Sequence, residues 1–152
     1  MLLLFQGHCE VARLNNCEIG PNPSAGINIG NNASGQIHVS GSRIHGNSEI
    51  NNGGGIYAGG GFDHCELHLE DTEVYNNFAS RGAGLHVTRY VNFVSIKNCV
   101  FRDNLASNGG GIYVRQTSTP KFIACTFAGN TAGNTGGAIS NRGSSLVDIS
   151  GT

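Results

Sequence analysis

A short internal repeat constrains this chain more than any other feature of its sequence. Five times, an apolar strand-like segment is followed three residues later by Asn and then by a Gly-rich step into another apolar segment. The anchor residues of the Gly-rich step recur at intervals of 29, 29, 27 and 27 residues, at Ile27, Ile56, Leu85, Ile112 and Ile139. A period of this length, with strand-forming residues and no helical pattern, predicts a solenoid.

Composition agrees with a β-solenoid and argues against several partners. Glycine supplies 24 of the 152 residues, and each Gly inside a helix costs about 1 kcal/mol relative to Ala. The formal net charge is −1, with scattered Lys and Arg, so there is no basic patch for a phosphate backbone or an anionic lipid surface. Nucleic acid is therefore not an expected partner.

The longest apolar run is the opening "MLLLF". It is far shorter than the roughly 20 residues of a transmembrane helix, and it lacks the basic flank and cleavage site of a signal peptide. We therefore predict a strand here and no transmembrane segment. Residues 1–152 are expected to form a single repeat domain, either a complete protein or a segment of a longer one.

Aligning the repeats predicts three parallel strands in each coil. The first strand is anchored by an apolar column at Leu14, Val39, Leu69, Ile96, Phe122 and Ile149. Five residues later comes the anchor of the second strand, at Ile19, Ile44, Val74, Phe101 and Phe127. The Gly-rich step leads into the third strand. We predict an all-β protein, a right-handed parallel β-helix of about five to six coils.

Two polar columns repeat with the strands. Three residues after each second-strand anchor stands Asn, at Asn22, Asn47, Asn77, Asn104 and Asn130. Stacked about 4.8 Å apart, these amides are predicted to form a hydrogen-bonded ladder. Three residues after each first-strand anchor, a small residue recurs at Cys17, Ser42, Thr72, Cys99, Cys125 and Thr152. The cysteines lack paired metal-ligand spacing, so we expect buried, unreactive thiols.

The repeat resembles that of the polymorphic outer-membrane protein family, whose signatures are FxxN and GGA followed by Ile, Leu or Val. "FRDN" and "FAGN" match the first motif, "GGAI" at Gly136 to Ile139 matches the second, and "GAGL" and "GGGI" are near variants. The resemblance spans Ile19 to Ser140. It implies a right-handed parallel β-helix displayed on the cell surface, in a family in which several members are adhesins.

β-Helix enzymes place clusters of carboxylates on the outward columns of adjacent coils, and the outward columns of this chain gather no such cluster. The densest acidic stretch holds Glu66, Glu70, Asp71 and Glu73, all in one coil. A calcium or acid/base site there remains an alternative, but neighbouring coils add no second acidic row. The sequence contains no metal-binding histidine motif and no phosphate-binding loop. We therefore predict no catalytic residues, no metal site and no cofactor.

One outward column suggests ligand binding. Tyr57, His86 and Tyr113 follow the Gly-rich anchors in three consecutive coils, and planar rings with polar tips suit glycan or peptide recognition. The alternative is that these rings only stabilise neighbouring strands.

The leading functional hypothesis is a non-catalytic extracellular or cell-surface β-helix for display, adhesion or end-to-end fibre assembly. Assembly is suggested by the apolar "MLLLF" at one end and by Leu146 to Thr152 at the other, both of which would leave core residues uncovered. The alternative is a carbohydrate-active β-helix, as a polysaccharide lyase, a glycoside hydrolase or a glycan-binding fragment of one.

Overall fold

A computed structural model of the chain describes residues 2–30, 32–59, 65–88, 91–116, 119–143 and 146–151. These residues contain twenty strands and no helix, and the strand pairs are parallel. No described segment is therefore a helix long and apolar enough to cross a membrane. The predicted all-β parallel solenoid is confirmed.

The three predicted strands of each coil stack into three sheets. The first sheet contains β2 (His8–Asn15), β5 (Ser34–Ser40), β8 (Cys65–Glu70), β12 (Val91–Lys97), β16 (Pro120–Ile123) and β20 (Asp148–Ser150). The second sheet contains β3 (Glu18–Ile19), β6 (Arg43–His45), β9 (Glu73–Tyr75), β13 (Val100–Arg102) and β17 (Thr126–Ala128). The third sheet contains β1 (Leu3–Phe5), β4 (Ile27–Ile29), β7 (Ile56–Ala58), β11 (Leu85–Val87), β15 (Ile112–Arg115) and β19 (Ile139–Arg142).

The predicted registers are those of the structure. In the first sheet, Val39 pairs with Leu14 below and Leu69 above. In the second sheet, Phe101 lies between Val74 and Phe127. The opening segment occupies the third-strand position, where Leu3 pairs with Ile27. Because each pairing joins like positions of successive repeats, a single alignment of the repeats predicts the strand register of all three sheets.

The core is a continuous stack of aliphatic and aromatic side chains inside the three sheets. Its largest fully buried members include Phe101, Phe122, Ile27, Ile56 and Leu69. Each Ile, Leu or Phe side chain taken fully out of water contributes about 1.5–3 kcal/mol. The period-2 alternation in each strand places these residues inward and their neighbours outward.

The bend between the first and second strands uses a left-handed backbone conformation in every coil. The residue at this bend has a positive φ at Asn16, Gly41, Asp71, Asn98, Ala124 and Gly151. Gly, Asn and Asp adopt this conformation readily, whereas the Cβ of other residues is crowded by the following carbonyl. Ala124, with φ 52°, is therefore the strained member of the column.

A fourth sheet appears in the segment that was expected to be only a Gly-rich turn. Its three strands are β10 (Phe78–Arg81), β14 (Leu105–Asn108) and β18 (Thr131–Thr135). They turn into the third sheet through glycines with positive φ, such as Gly82. The Thr135 hydroxyl lies 3.1 Å from that of Ser140, so the end of the fourth sheet lies against the outward residues of the third sheet.

The Gly-rich step also allows the coils to approach closely. A Cβ placed on Gly84 would lie 2.4 Å from the Gly111 carbonyl oxygen and 3.2 Å from Asn104 Nδ2. Gly55 and Gly111 meet the next coil in the same way. Ala138, in the last of these steps, is exposed. Glycine at this position thus keeps the third sheet and the Asn column in register with the coil above.

Candidate functional site

The predicted Asn ladder is present and runs through all five of its coils. Each Nδ2 donates to the Oδ1 of the next Asn, with N···O distances of 2.7, 2.9, 3.0 and 2.9 Å along the series Asn22, Asn47, Asn77, Asn104 and Asn130. Asn47, Asn77 and Asn104 are buried. The ladder therefore lies inside the solenoid and supports its bend rather than facing a ligand.

Each inner amide of the ladder is fully satisfied. Asn104 Nδ2 also donates to the Val74 carbonyl at 2.9 Å, and its Oδ1 accepts from the Asn77 backbone N at 3.1 Å. The Asn77 side chain repeats this pattern with the Ile44 carbonyl and the Asn47 backbone N. Buried amides with every donor and acceptor paired avoid the desolvation cost of burial, which explains why Asn recurs here.

The small-residue column forms a second, shorter set of bonds. The Ser42 hydroxyl donates to the Ser40 carbonyl at 2.8 Å and accepts from the Cys17 backbone N at 3.0 Å. Cys99 and Cys125 take the same position and are buried. Burial raises the pKa of Cys99 to about 12 and also raises the pKa of Cys125. Because the thiolate is the reactive species, these two thiols are expected to be inert.

The Tyr57, His86 and Tyr113 side chains are neighbours, as predicted, but the column is not the open platform that was expected. Ring centroids lie 5.6 Å apart between Tyr57 and His86 and 5.1 Å apart between His86 and Tyr113. However, His86 is only 3% exposed and Tyr113 only 2%. The fourth sheet, which the sequence pattern did not reveal, lies against this row. The ligand-binding role of the column remains a prediction, with Tyr57 as its accessible member.

His86 is a buried titratable group in this covered row. Desolvation, with smaller contributions from Arg81 and Arg115, lowers the pKa of His86 to about 4, although the nearby backbone of Arg81 opposes the shift. The Nδ1 atom is buried and has no hydrogen-bond partner. The imidazole is therefore neutral at pH 7, and its protonation opposes the folded state.

The four acids of the densest acidic stretch do not converge. Glu66 faces outward on the first sheet, where it accepts from Gln36 Nε2 at 3.0 Å, and Glu70 is exposed on the same strand. Asp71 lies at the bend and accepts from Asn98, and Glu73 lies on the second sheet, 3.9 Å from Arg43. Within the described ranges, no three His, Cys, Asp or Glu side chains are placed to hold a metal ion.

On the outer face of the second sheet, the side chains of one column stack on and bond to one another. The His45 and Tyr75 rings are stacked, with centroids 4.9 Å apart. The Arg102 guanidinium lies 4.1 Å from the Tyr75 centroid on an adjoining strand and 3.7 Å from Glu73. Since neighbouring coils flank Tyr75 on both sides, its ring offers mainly an edge to solvent.

A shallow groove of 330 Å³ lies where the first sheet bends into the second. Its lining includes Glu18, Arg43, Asp71 and Glu73. Arg43 sits between the two glutamates in the register of the sheet, and Glu18 also accepts from the His45 ring at 3.0 Å. The charged side chains of the groove are thus bonded to other protein groups: Arg43 to Glu73, Glu18 to His45 and Asp71 to Asn98.

The outer face of the first sheet brings together a group that the sequence pattern did not predict. His38 and His68 are stacked with centroids 4.4 Å apart and planes within 4°, and Phe93 lies 5.4 Å from His68. Gln36 and Glu66 lie beside the two imidazoles. Phe93 was missed because it is the register partner of Glu66 and not of His68, and a repeat alignment does not show contacts between neighbouring columns. This group, in which Phe93 is exposed and the other four side chains are half-buried, is the candidate functional site.

The comparisons with known proteins support the fold. A family model described as the right-handed β-helix region matches residues 25–151. A curated protein from Dictyostelium discoideum, described as metabotropic glutamate receptor-like protein R, is 34% identical over 86 residues. The matched segment is 55% of this chain but only 5% of that protein. No solved structure matches the chain significantly.

Proposed function

Since the chain belongs to the right-handed β-helix family, we propose that it is a non-catalytic recognition and display domain that works outside the cell. The solenoid supplies a rigid support whose outward rows repeat in every coil. Ligand contacts then come from the outward side chains, while the inward columns hold the coils together.

The observation that carries this proposal is the distribution of acids on the outward rows. Among the described strands, Glu66 has Gln36 and Phe93 as its neighbours on adjacent coils. Glu73 likewise has Arg43 and Val100 beside it. Hydrolysis of a glycosidic bond generally needs two carboxyl groups that flank the bond. Rows in which the neighbours of an acid on adjacent coils are not acidic favour binding over catalysis.

The similarity to a protein described as receptor-like supports a role in recognition. The chain spans about 5% of that protein, so the activity of the whole relative is not transferred to this chain. The extracellular location rests on this similarity and on the repeat motifs that resemble surface-displayed β-helices.

The location is tested by treating intact cells that express the native gene with a protease. We expect the β-helix to be digested without lysis, while a cytosolic marker survives. Protection of the chain until the cells are lysed would contradict the proposal.

The absence of catalysis is tested by incubating the full chain with a panel of polysaccharides. We expect no new reducing ends and no unsaturated products. Turnover that is lost in the Glu66→Gln variant would instead support the carbohydrate-active alternative.

End-to-end assembly of copies is a second proposed property, supported by exposed apolar residues in the two terminal coils. Leu4 is exposed on β1, and Leu146 and Ile149 are exposed near or on β20. Pairing β19 and β20 of one copy with β1 and β2 of the next continues the third and first sheets. The second sheet, with five strands rather than six, would lack one strand at the junction. Light scattering over a dilution series tests this: a stable monomer at micromolar concentration would rule out assembly.

A further inference from the structure

The outer face of the first sheet around Phe93 has the chemistry of a small ligand site. We propose that the group formed by Gln36, His38, Glu66, His68 and Phe93 binds a neutral glycan. This inference rests on the proposed recognition function and names its ligand class.

The polar members of this glycan-binding group form one connected set. Glu66 Oε2 lies 3.0 Å from Gln36 Nε2 and 3.2 Å from His68 Nε2. Gln36 Oε1 lies 3.3 Å from His38 Nε2. Three strands, β5, β8 and β12, hold the set on a rigid sheet, so a ligand would find its contacts already ordered. Such preorganisation reduces the entropic cost of binding.

The hydrogen bonds assign the protons of the two imidazoles. An ionised Glu66 accepts only, so His68 Nε2 carries the hydrogen that it donates. The Gln36 amide donates to Glu66 through its nitrogen, which leaves its oxygen to accept from His38 Nε2. In its neutral form, the His38 ring then offers Nδ1 as an acceptor. Together with the second oxygen of Glu66, the group offers acceptors to a ligand rich in hydroxyl donors.

The charges around His38 favour its neutral form. Burial, the adjacent His68 and Arg13 lower the pKa of His38, and Glu66 opposes them. Gln36 on the same strand and Phe93 from β12 add no charge. The acceptor character of the His38 ring is therefore retained at neutral pH.

The aromatic stack ends at Phe93, which leaves a place for a further ring. The strand β12 pairs with β16 through Val94 and Pro120, so the position above Phe93 falls near Thr119, which is not aromatic. Phe93 is 38% exposed. A pyranose has an apolar C–H face that packs on an aromatic ring, and its hydroxyls reach neighbouring acceptors.

Other ligand classes fit less well. The carboxylate of Glu66 repels phosphate, sulfate and sialic acid groups. A metal ion is disfavoured because the described residues contain no group of three His, Cys, Asp or Glu placed to hold one. A neutral saccharide can pack on the exposed ring and also donate hydrogen bonds to the acceptors, whereas the anionic groups and metal ions cannot do both.

A glycan microarray with neutral oligosaccharides of glucose, galactose and mannose, and with sialylated and sulfated oligosaccharides, tests the inference on the full chain. We expect selective retention on one or more neutral oligosaccharides. Calorimetry with the best of these should show that Phe93→Ala weakens binding at least tenfold. The matched control is Phe78→Ala, which removes another exposed phenylalanine from the fourth sheet and should bind as the wild type does.

Ring-proton NMR supplies a readout that does not depend on a variant folding. During titration of the wild type with the saccharide, the His38 and His68 signals should shift, while those of His45 on the second sheet should not. Failure of all neutral saccharides to bind, or equal binding by Phe93→Ala, would overturn the inference. A protease-protected chain in intact cells would overturn the extracellular function separately, whatever the array shows.

Discussion

The Asn ladder and the row of Tyr57, His86 and Tyr113 are both columns with one residue per coil, but they differ in how their buried polar atoms are hydrogen-bonded. Each inner Asn bonds to the Asn side chains above and below it and to the backbone of the preceding coil. His86 depends on the fourth sheet for its cover, and its Nδ1 atom remains without a hydrogen-bond partner. The ladder is therefore a self-sufficient source of stability, whereas the covered row is a place where burial costs free energy.

The largest expected effect breaks the ladder at its centre. Asn104→Ala removes the acceptor of Asn77 Nδ2 and the donor to Val74 and Asn130. Leaving several buried groups unpaired should cost about 3 kcal/mol. Urea denaturation checks this, with the exposed Asn134→Ala as the control, for which the loss should be below about 0.5 kcal/mol. Equal losses at the two positions would mean that a ladder Asn contributes no more to stability than an exposed Asn does.

The next effect tests the close approach of the coils that keeps the ladder aligned. Gly84→Ala would place a Cβ against the Gly111 carbonyl and near Asn104. We expect a loss of about 2 kcal/mol from this overpacking. The control is Gly133→Ala in the fourth sheet, where a Cβ would meet nothing within 4 Å. If thermal unfolding shows both variants to be as stable as the wild type, the coils are not packed as tightly as described.

The burial of His86 in the covered row should make the free energy of unfolding depend on pH. The pKa of His86 in the folded state, about 4, lies below its usual value of 6.5, so the unfolded chain binds more protons between these two pH values. The contribution of neutral His86 to the free energy of unfolding is present above pH 6.5 and is lost as the pH falls toward 4. Between pH 7 and pH 5, this loss is on the order of 2 kcal/mol.

Urea denaturation of His86→Phe at both pH values isolates this contribution. The variant should lose less stability on acidification than the wild type, and Asn104→Ala should keep the pH dependence of the wild type. An identical pH dependence for wild type and His86→Phe would show that His86 is accessible and not covered.

The smallest effect concerns the bend that precedes the ladder. Ala124 holds a positive φ where other coils have Asn, Asp or Gly, so Ala124→Gly should relieve strain. We expect a gain of about 0.5–1 kcal/mol, visible as a higher midpoint in urea. A destabilised variant would show that the Ala124 backbone is not strained.

The comparison also explains which parts of the structure were predictable from the sequence. The Asn ladder, the apolar columns and the registers follow from repetition, because like residues in successive coils become partners. The fourth sheet was missed because its strands, such as Leu105–Asn108, lie in the segment of variable length, and their inward column consists of the small residues Ala79, Ala106 and Ala132 rather than of large apolar anchors. Because the fourth sheet was missed, the burial of His86 and Tyr113 was not predicted either.

The candidate site on the first sheet was hidden for a related reason. His38 and His68 stand in one outward column, but Phe93 reaches His68 from the neighbouring column, in which its register partner is Glu66. A contact between columns depends on how side chains lean, and a repeat alignment does not contain that information. Gln36 and Glu66 are register partners in that neighbouring column, and their side chains bond to the imidazoles of the first column.

A double-mutant cycle on Asn77 and Asn104 tests most directly whether the ladder acts as a connected column. The two side chains share the bond from Asn77 Nδ2 to Asn104 Oδ1 at 3.0 Å. The free energies of unfolding of the two alanine variants and the double variant should be non-additive, with a coupling of about 1 kcal/mol or more. The distant pair Asn104 and His38 should be additive within about 0.5 kcal/mol. Additivity at Asn77 and Asn104 would contradict the account, because it would mean that the stacked amides do not support one another.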